Sequence, residues 1–275
     1  MHINKKLMSL ENYTMSIKHE ATHWHKKKLG TWPDIDNPKT FNEKIAWLKI
    51  YDQDKDQITC CDKLAVKDFI SKDFGNDLII PNTTTYPMVI KANNGSGGVR
   101  FANNKQEELQ AEEFCKAKAS KPYGKGKGEW AYRLITPGVV KEVKLEGTGV
   151  DYKFNCVHGE VKWVTMTWDR HGGKKKESIL DPNGKTTPLH LVHTMKHVEQ
   201  EPFDGLENFF EMKKIAEKIS ARWKYIRVDL YWEGQPKLGE LTFWPGGGCY
   251  KTPDNLKFGE MLDINLTTTK EPVLA

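Results

Sequence analysis

Apolar residues recur every three or four positions in the first part of the chain, a spacing typical of amphipathic helices. One such run places these residues on a single helical face: Phe41, Ile45, Leu48 and Tyr51. The preceding sequence Thr-Phe-Asn-Glu at residues 40–43 is a capping-box pattern, which marks a helix start. We therefore predict that residues 1–60 form a mostly helical N-terminal segment.

Two more helices are predicted in the next part of the chain. The first covers residues 62–74 and ends at Gly75, because glycine adopts the left-handed conformation that often terminates a helix. The second begins at Asn104, which has Glu107 three residues later. The basic, glycine-containing stretch at 121–128 is predicted to be a flexible connection.

Strands dominate the pattern after residue 138. They are predicted at residues 139–145, 151–157, 161–168, 225–232 and 237–243. The polar, lysine-rich and glycine-rich segment 169–188 is predicted to be a mobile loop, and residues 206–223 to be an amphipathic helix. Because helices and strands are mixed throughout, the sequence predicts an α+β fold.

The last two predicted strands form an acidic hairpin. Both alternate apolar with polar residues across a four-residue connection, which indicates an antiparallel pair. An even-length turn pairs residues whose numbers sum to 469, so that Asp229 lies opposite Glu240. The same register predicts these further pairs: Arg227 with Thr242, and Tyr231 with Leu238.

Two carboxylates about 5 Å apart across a sheet repel each other. A cation between Asp229 and Glu240 would explain the arrangement, and oxygen ligands favour magnesium over zinc. Two alternatives stay open at this point. Arg227 would neutralise one acid while the other is solvated, or Pro236, which cannot donate a hydrogen bond in the turn, would shift the register.

A glycine-rich loop follows the short apolar strand predicted at residues 87–92. Its sequence at 94–98, Asn-Gly-Ser-Gly-Gly, permits successive backbone N–H groups to face a phosphate, and Lys91 directly precedes it. The loop matches neither a Walker motif nor a dinucleotide-binding motif. A plain hairpin turn is the alternative interpretation.

Composition narrows the function classes. The net charge of +5 suits an anionic ligand but falls short of a dedicated nucleic-acid binder. No apolar run approaches the roughly 20 residues of a membrane span, so no membrane insertion is expected. Residues 1–6 lack the apolar region of a secretory signal, and the five cysteines contain no CxxC pair. We therefore expect a reduced, cytoplasmic protein.

Five sequence strings, taken in order, resemble ATP-grasp enzymes of the TupA-like (teichuronopeptide-biosynthesis-like) branch. They are residues 37–44, 89–98, 151–154, 227–231 and 239–246. The resemblance covers residues 37–262 and implies two α+β lobes that clasp ATP. It implies a small lobe with the glycine loop at 61–138 and a large lobe with the acidic hairpin at 139–275, after the helical segment.

The same resemblance implies roles for individual residues. It implies ATP contacts at Lys63, Lys91, Ser96, Gly97, Glu142, Val143, Leu145, Asp151 and Lys153. Among these, Lys63 and Lys91 would hold phosphates, Glu142 would lie at the adenine and Asp151 at the ribose. Magnesium ligands would be Asp229, Glu240 and Thr242, and the third position is usually asparagine in the family. Arg227 would stabilise the transferred charge.

A basic run in the predicted loop is a further candidate. The resemblance places this loop near the γ-phosphate, which would give Arg170 and Lys176 a catalytic role; a solvated lysine run is the alternative. His190, His193 and His197 share one face if that segment is helical, a spacing that can bind a metal. We interpret these histidines as solvated residues.

The resemblance implies an ATP-dependent carboxylate–amine ligase that forms an amide through an acyl phosphate. One substrate would be an acidic saccharide, such as a uronic acid in a surface polysaccharide or its precursor, and the other an amino acid. Two alternatives remain. A metal-dependent glycosyltransferase-like enzyme would use a nucleotide sugar, and a non-catalytic module would bind ATP without turnover.

Overall fold

The computed structural model describes residues 10–169 and 175–266. Its first four helices are α1 (Leu10–Leu29), α2 (Phe41–Tyr51), α3 (Asp56–Cys61) and α4 (Ala65–Phe74). The predicted capping box is present, because Thr40 Oγ1 accepts from Glu43 N and Glu43 Oε2 accepts from Thr40 N. Gly75, with a φ of 71°, ends α4 as predicted.

A small antiparallel sheet has the strand order β2-β1-β3. Its strands are β1 (Met88–Ala92), β2 (Val99–Ala102) and β3 (Val139–Val143), and helix α5 (Lys105–Ala119) packs on one face. Asn104 caps α5 by accepting from Glu107 N, as its sequence predicted. The glycine-rich loop is the β1–β2 connection, and the sequence analysis missed β2. The loop therefore connects the two strands of a hairpin, and this position leaves its predicted phosphate contact open.

A larger sheet has the strand order β10-β9-β4-β5-β6-β7, and β8 pairs with β6. These strands are β4 (Asp151–Val157), β5 (Glu160–Trp168), β6 (Lys176–Leu180), β7 (Thr186–Thr187), β8 (Lys196–His197), β9 (Tyr225–Trp232) and β10 (Pro236–Thr242). Helix α6 (Leu206–Ser220) buries its apolar face in the same core as this sheet, and α7 (Asn255–Met261) follows β10. The mixed α/β class is confirmed.

One sequence prediction in the middle of the chain was wrong. The segment predicted as a mobile loop, residues 169–188, contains β6 and β7, and Ile179 and Leu180 of β6 are fully buried. The segment with three histidines is not helical, so His190, His193 and His197 share no helical face. Within residues 10–169 and 175–266, no cluster of three or more His, Cys, Asp or Glu side chains is arranged to hold a metal.

The acidic hairpin has the predicted register at its acids and a different one at its turn. Asp229 pairs with Glu240 and Arg227 with Thr242, which confirms the expected pairs. Tyr231 pairs with Lys237 and not with Leu238, because a β-bulge between Leu238 and Glu240 takes up one residue. Gly239 fills the bulge, where a Cβ atom would lie 2.6 Å from Cε2 of Tyr231.

Within residues 10–169 and 175–266, no helix has the length and apolarity needed to cross a bilayer.

Candidate active site

A cleft of about 1260 Å³ lies between the small and the large sheet. Most residues singled out from the sequence line it: Lys63, Lys91, Ser96, Gly97, Glu142, Val143, Leu145, Asp151, Lys153, Arg227, Asp229, Glu240 and Thr242. They come from α3–α4, both sheets and the glycine loop. The fold therefore brings together residues that are as much as 179 positions apart in the sequence, from Lys63 to Thr242.

Asp229, on β9, forms a two-point ion pair with Arg227 on the same strand. Nε and Nη2 of Arg227 donate to Oδ1 and Oδ2 of Asp229, both at 2.7 Å. Nη2 also donates to Oγ1 of Thr242 at 3.2 Å. Burial lowers the pKa of the Arg227 guanidinium, but the Asp229 carboxylate outweighs this effect and holds that pKa well above its usual value. Arg227 is therefore a permanent buried cation.

Glu240, opposite Asp229, is paired with a different cation. Nζ of Lys63 donates to Oε1 of Glu240 at 2.9 Å and to the carbonyl oxygen of Gly95 at 2.8 Å. Burial raises the pKa of Glu240, but Lys63 more than offsets this and leaves the pKa below its usual value. A single lysine thus joins the acidic hairpin to the glycine loop.

Glu142, on β3, lies between two lysines. Its Oε2 is 2.6 Å from Nζ of Lys91 and its Oε1 is 2.7 Å from Nζ of Lys67. The backbone of residues 143–145 lines the cleft beside it. The carboxylate expected at the adenine is therefore engaged by lysines in this structure. Lys67 was missed by the sequence analysis, although it lies one helical turn after Lys63.

Lys153, on β4, connects the acidic hairpin to Asp151. Its Nζ contacts Oδ2 of Asp151 and lies 3.7 Å from Oδ2 of Asp229, its cross-strand partner. The ion pairs at the cleft form two groups. Glu142 pairs with Lys67 and Lys91 in one group, and the other contains the pairs Lys63–Glu240, Arg227–Asp229 and Lys153–Asp151. Each of these charges has a side-chain partner of opposite sign nearby. A ligand that carries both a cation and anionic groups can take the place of those partners.

The glycine loop exposes backbone at the edge of the cleft. Gly95 has a φ of 67° and Gly97 a φ of 81°, a region that favours glycine. A Cβ atom on Gly95 would lie 2.4 Å from Cγ of Tyr123, so this ring packs directly on the loop backbone. Ser96 and Gly97 are exposed, and their N–H groups are available to a phosphate.

The donor set at the hairpin fits magnesium. Asp229 and Glu240 provide carboxylate oxygens from paired positions, and each oxygen of Asp229 that accepts from Arg227 keeps a second lone pair. Thr242 adds a hydroxyl on the same strand face as Glu240. Magnesium is commonly bound by one or two carboxylates together with substrate phosphates. These residues therefore suit magnesium that arrives with ATP.

The basic run after β5 is placed in part. Lys175 and Asp169 line the cleft, whereas Lys176 does not and instead pairs with Asp169 at 2.6 Å. Arg170 and Lys174 lie outside the described residues, so their predicted roles stay predictions. The structure thus brings Lys175, and not Lys176, to the cleft wall, and the role of this segment stays a prediction.

The far end of the cleft was not predicted. It is formed by Trp24, Tyr123, Glu129 and the segment Pro245–Gly248. A string of three glycines after a proline was visible in the sequence, but nothing there connected it with Trp24 or Glu129. This region holds aromatic rings and a buried carboxylate, and Tyr123 connects it to the glycine loop by packing on Gly95.

The sequence matches a family model, and the fold is similar to those of solved structures. A family model described as TupA-like ATPgrasp matches residues 43–263. The chain is similar to a D-alanine–D-alanine ligase from Bacillus anthracis, with 17% identity, a TM-score of 0.45, and coverage of 74% of this chain and 66% of that one. It is also similar to VanG D-Ala:D-Ser ligase from Enterococcus faecalis, with 16% identity, a TM-score of 0.47, and coverage of 75% and 60%. No curated protein matches the sequence.

Proposed function

We propose, because the chain belongs to the TupA-like ATP-grasp family, that it uses ATP in this cleft to join a carboxylate to an amine. The observation that carries the proposal is the position of the paired acids Asp229 and Glu240. Both acids line the cleft together with the glycine loop, and Lys63 joins Glu240 to the carbonyl oxygen of Gly95. Family membership supports the ATP-grasp ligase class, and the ADP-forming reaction is our proposal.

In the first step, a carboxylate oxygen of the acid attacks the γ-phosphorus, and the bond to the β-phosphate oxygen breaks to release ADP. Lys63, Lys91 and Arg227 line the cleft, and in this proposal their positive charge stabilises the transferring phosphoryl group. Bound by Asp229 and Glu240, with Thr242 as a third donor, Mg²⁺ would supply further positive charge at the phosphates.

In the second step, the amine nitrogen attacks the carbonyl carbon of the acyl phosphate. The carbon–oxygen bond to phosphate breaks, inorganic phosphate leaves and the nitrogen loses a proton. An acyl phosphate hydrolyses readily, so the closed cleft must exclude water until the amine arrives. We propose a uronic-acid-containing saccharide as the acid and an amino acid as the amine, in line with the resemblance to teichuronopeptide enzymes.

We also propose that the enzyme acts in the cytoplasm. All five cysteines, each within the described residues, are free thiols, which suits a reducing compartment. The division into a helical segment at 1–60 and lobes at 61–138 and 139–275 is likewise a proposal, supported by the separate apolar cluster of the small sheet.

A hydroxamate assay tests the reaction. With ATP, Mg²⁺, a uronic acid and hydroxylamine as the amine, the enzyme should release ADP and phosphate in step with hydroxamate. Asp229→Asn serves as the inactive control. Release of AMP and pyrophosphate would exclude the acyl-phosphate mechanism. Turnover of a nucleotide sugar without ATP would indicate the glycosyltransferase alternative, and ATP binding without turnover of any acid the non-catalytic one.

A further inference from the structure

Helix α1 contributes one side chain, Trp24, to the far end of the cleft. The helix is docked on the rest of the molecule, with Ile17 and Ala21 buried. Glu20 Oε2 also accepts from the backbone N–H of Gly126 at 2.8 Å. Trp24 lies one turn beyond Glu20, so its position is fixed by this docking. Residues 10–29 precede the segment matched by the family model, which begins at residue 43.

Two buried polar atoms at this end make no hydrogen bond within residues 10–169 and 175–266. They are Nε1 of Trp24, a donor, and Oε2 of Glu129, an acceptor. Glu129 is only 3% exposed, and the nearest cation to Oε2 is Nζ of Lys127 at 4.0 Å. Buried donors and acceptors are nearly always paired in folded proteins, so each of these two atoms has an open hydrogen-bonding position for a bound molecule.

A glycine keeps the space beside these two residues open. A Cβ atom on Gly247 would lie 3.2 Å from Nε1 of Trp24 and 3.4 Å from Oε1 of Glu129. Gly247 has a φ of 63°, and its carbonyl oxygen accepts from Nζ of the buried Lys49 at 2.8 Å. The glycine is therefore held in place, and any side chain there would fill the space between the donor and the acceptor.

The hydrogen-bonding properties of Nε1 of Trp24, a donor, and Oε2 of Glu129, an acceptor, limit the chemical groups that can bind both. A hydroxyl accepts from an indole N–H and donates to a carboxylate at the same time. An ammonium group has no acceptor for Trp24, and Lys49 and Lys127 would repel it. A second carboxylate would meet Glu129 with like charge.

The surroundings indicate what carries the hydroxyl. Tyr123 and Tyr250, both half-buried, line the same cleft and offer apolar surface to the carbon skeleton of a sugar. Nζ of Lys28 lies 4.7 Å, and Nζ of Lys127 5.3 Å, from the centre of a Trp24 ring. These lysines favour a ligand that also carries negative charge.

We propose that Trp24 and Glu129 bind a ring hydroxyl of a sugar acid, and so make the far end of the cleft selective for a saccharide. The inference rests on the proposed ligase function, because it places the acid substrate of that reaction. Trp24 and Glu129 are specificity residues and not catalytic ones, because neither is among the residues assigned to the ATP phosphates or to magnesium.

The test uses Trp24→Phe, which removes the indole N–H, and Glu129→Gln, which removes the charge. Trp32→Phe is the matched control, because Trp32 is 55% exposed and does not line the cleft. Hydroxamate formation is measured with D-glucuronate and with cyclohexanecarboxylate, a six-membered-ring acid without hydroxyls. Nucleotide binding is measured separately for every variant.

We expect Trp24→Phe and Glu129→Gln each to raise the KM for glucuronate about tenfold, the change expected from one lost hydrogen bond. The KM for cyclohexanecarboxylate and the Kd for ATP should stay as in the parent protein. Trp32→Phe should change none of these. Unchanged glucuronate KM in both cleft variants would overturn the inference.

A second measurement separates this inference from the proposed function. Binding of glucuronate to the parent protein and to Trp24→Phe is followed by calorimetry with a non-hydrolysable ATP analogue, which needs no turnover. Weaker binding to the variant supports the subsite even if no hydroxamate forms. Efficient hydroxamate formation from cyclohexanecarboxylate, with glucuronate no better, would retain the ligase and remove the sugar subsite.

Discussion

Arg227 occupies both carboxylate oxygens of Asp229, and Lys63 pairs with Glu240. The sequence left open whether a metal or Arg227 balances the two facing acids. In this structure side chains balance both, and the metal role stays a prediction. The side-chain pairs also change the expected energetics of the site, because neither carboxylate is left unpaired beside a like charge.

These pairs lead to different stabilities for two isosteric variants. Asp229→Asn should lower the free energy of unfolding by about 3 kcal/mol, because it leaves the buried Arg227 without its counter-charge. Glu240→Gln should cost only about 1 kcal/mol, because the Glu240 side chain is 29% exposed. Urea denaturation without ligand measures both, and each variant should lose ATP turnover.

Repulsion between the acids alone would have predicted that both variants are as stable as the parent or more so. Glu160→Gln, which removes an exposed charge at the start of β5, controls for the loss of a surface carboxylate. Equal losses for Asp229→Asn and Glu240→Gln would contradict the role assigned to Arg227.

At the scale of single residues, the sequence predicts the contacts that follow from the repeat of a strand or a helix. Alternation along two strands was enough to place Asp229 opposite Glu240. It could not reveal that Trp24 and Glu129 both lie beside Gly247 in the cleft, because those residues lie on different elements that meet only when α1 docks. No local pattern in the sequence predicts such a long-range arrangement.

Among the elements, β6 shows why a polar strand escapes prediction. Glu177 and Ser178 are fully buried, although both are polar. Oε1 of Glu177 accepts from the backbone N–H groups of Leu191 and Val192, at 2.9 and 3.0 Å. The polar side chains of β6 thus satisfy the backbone of a neighbouring segment, and composition alone cannot distinguish them from loop residues.

Helix α5 is tied to the small sheet through Glu108. Its carboxylate accepts from Lys141 at 2.7 Å, from Tyr86 at 2.6 Å and from Lys105 at 3.0 Å. The hydrogen bond from Lys141 is the largest cause that lowers the pKa of Glu108, from 4.5 to about 2. A pKa lowered in the folded state adds stability above about pH 4.5, which is lost as the pH falls toward 2.

Glu108→Gln should therefore destabilise the protein at pH 7, and its difference from the parent should shrink as the pH falls from about 4.5 toward 2. Urea denaturation over this pH range measures the difference. Glu113→Gln, an exposed position on the same helix, is the control. A constant difference across the range would show that the ion pairs of Glu108 add no stability.

For the whole molecule, the five ordered strings predicted the fold class, and the family model agrees with it. The order of strands in the small sheet was not predictable, since β2 is short and mostly exposed. Its position follows from pairing with β1 through the glycine loop. The proposed boundaries between lobes remain predictions.

The paired charges of the cleft predict how the stability of the whole molecule changes when ligands bind. Magnesium alone would free lysines from their carboxylates, and ATP alone would bring phosphates beside those carboxylates. Together, Mg²⁺ pairs with the carboxylates and the phosphates pair with the lysines. We therefore expect Mg-ATP to stabilise the fold more than Mg²⁺ or ATP alone. At 100 times its Kd, the gain is about 2.7 kcal/mol.

Thermal and urea unfolding with Mg²⁺, ATP, both, and UDP-sugars measure this effect. Lys91→Met should reduce the gain from Mg-ATP, because it removes a cation that lines the cleft beside the glycine loop. Lys162→Met, at an exposed ion pair on β5, is the control. Stabilisation by UDP-sugars and not by Mg-ATP would contradict the assigned nucleotide.

The position of α1 separates two tasks within one chain. The residues assigned to ATP and magnesium all lie inside the segment matched by the family model, whereas Trp24 reaches the same cleft from outside it. If Trp24 binds substrate as proposed, substitutions along this one helix alter what the cleft accepts and leave the residues assigned to ATP unchanged. In such a molecule the substrate range can change during evolution without loss of the reaction, because substrate choice and reaction chemistry depend on different parts of the chain.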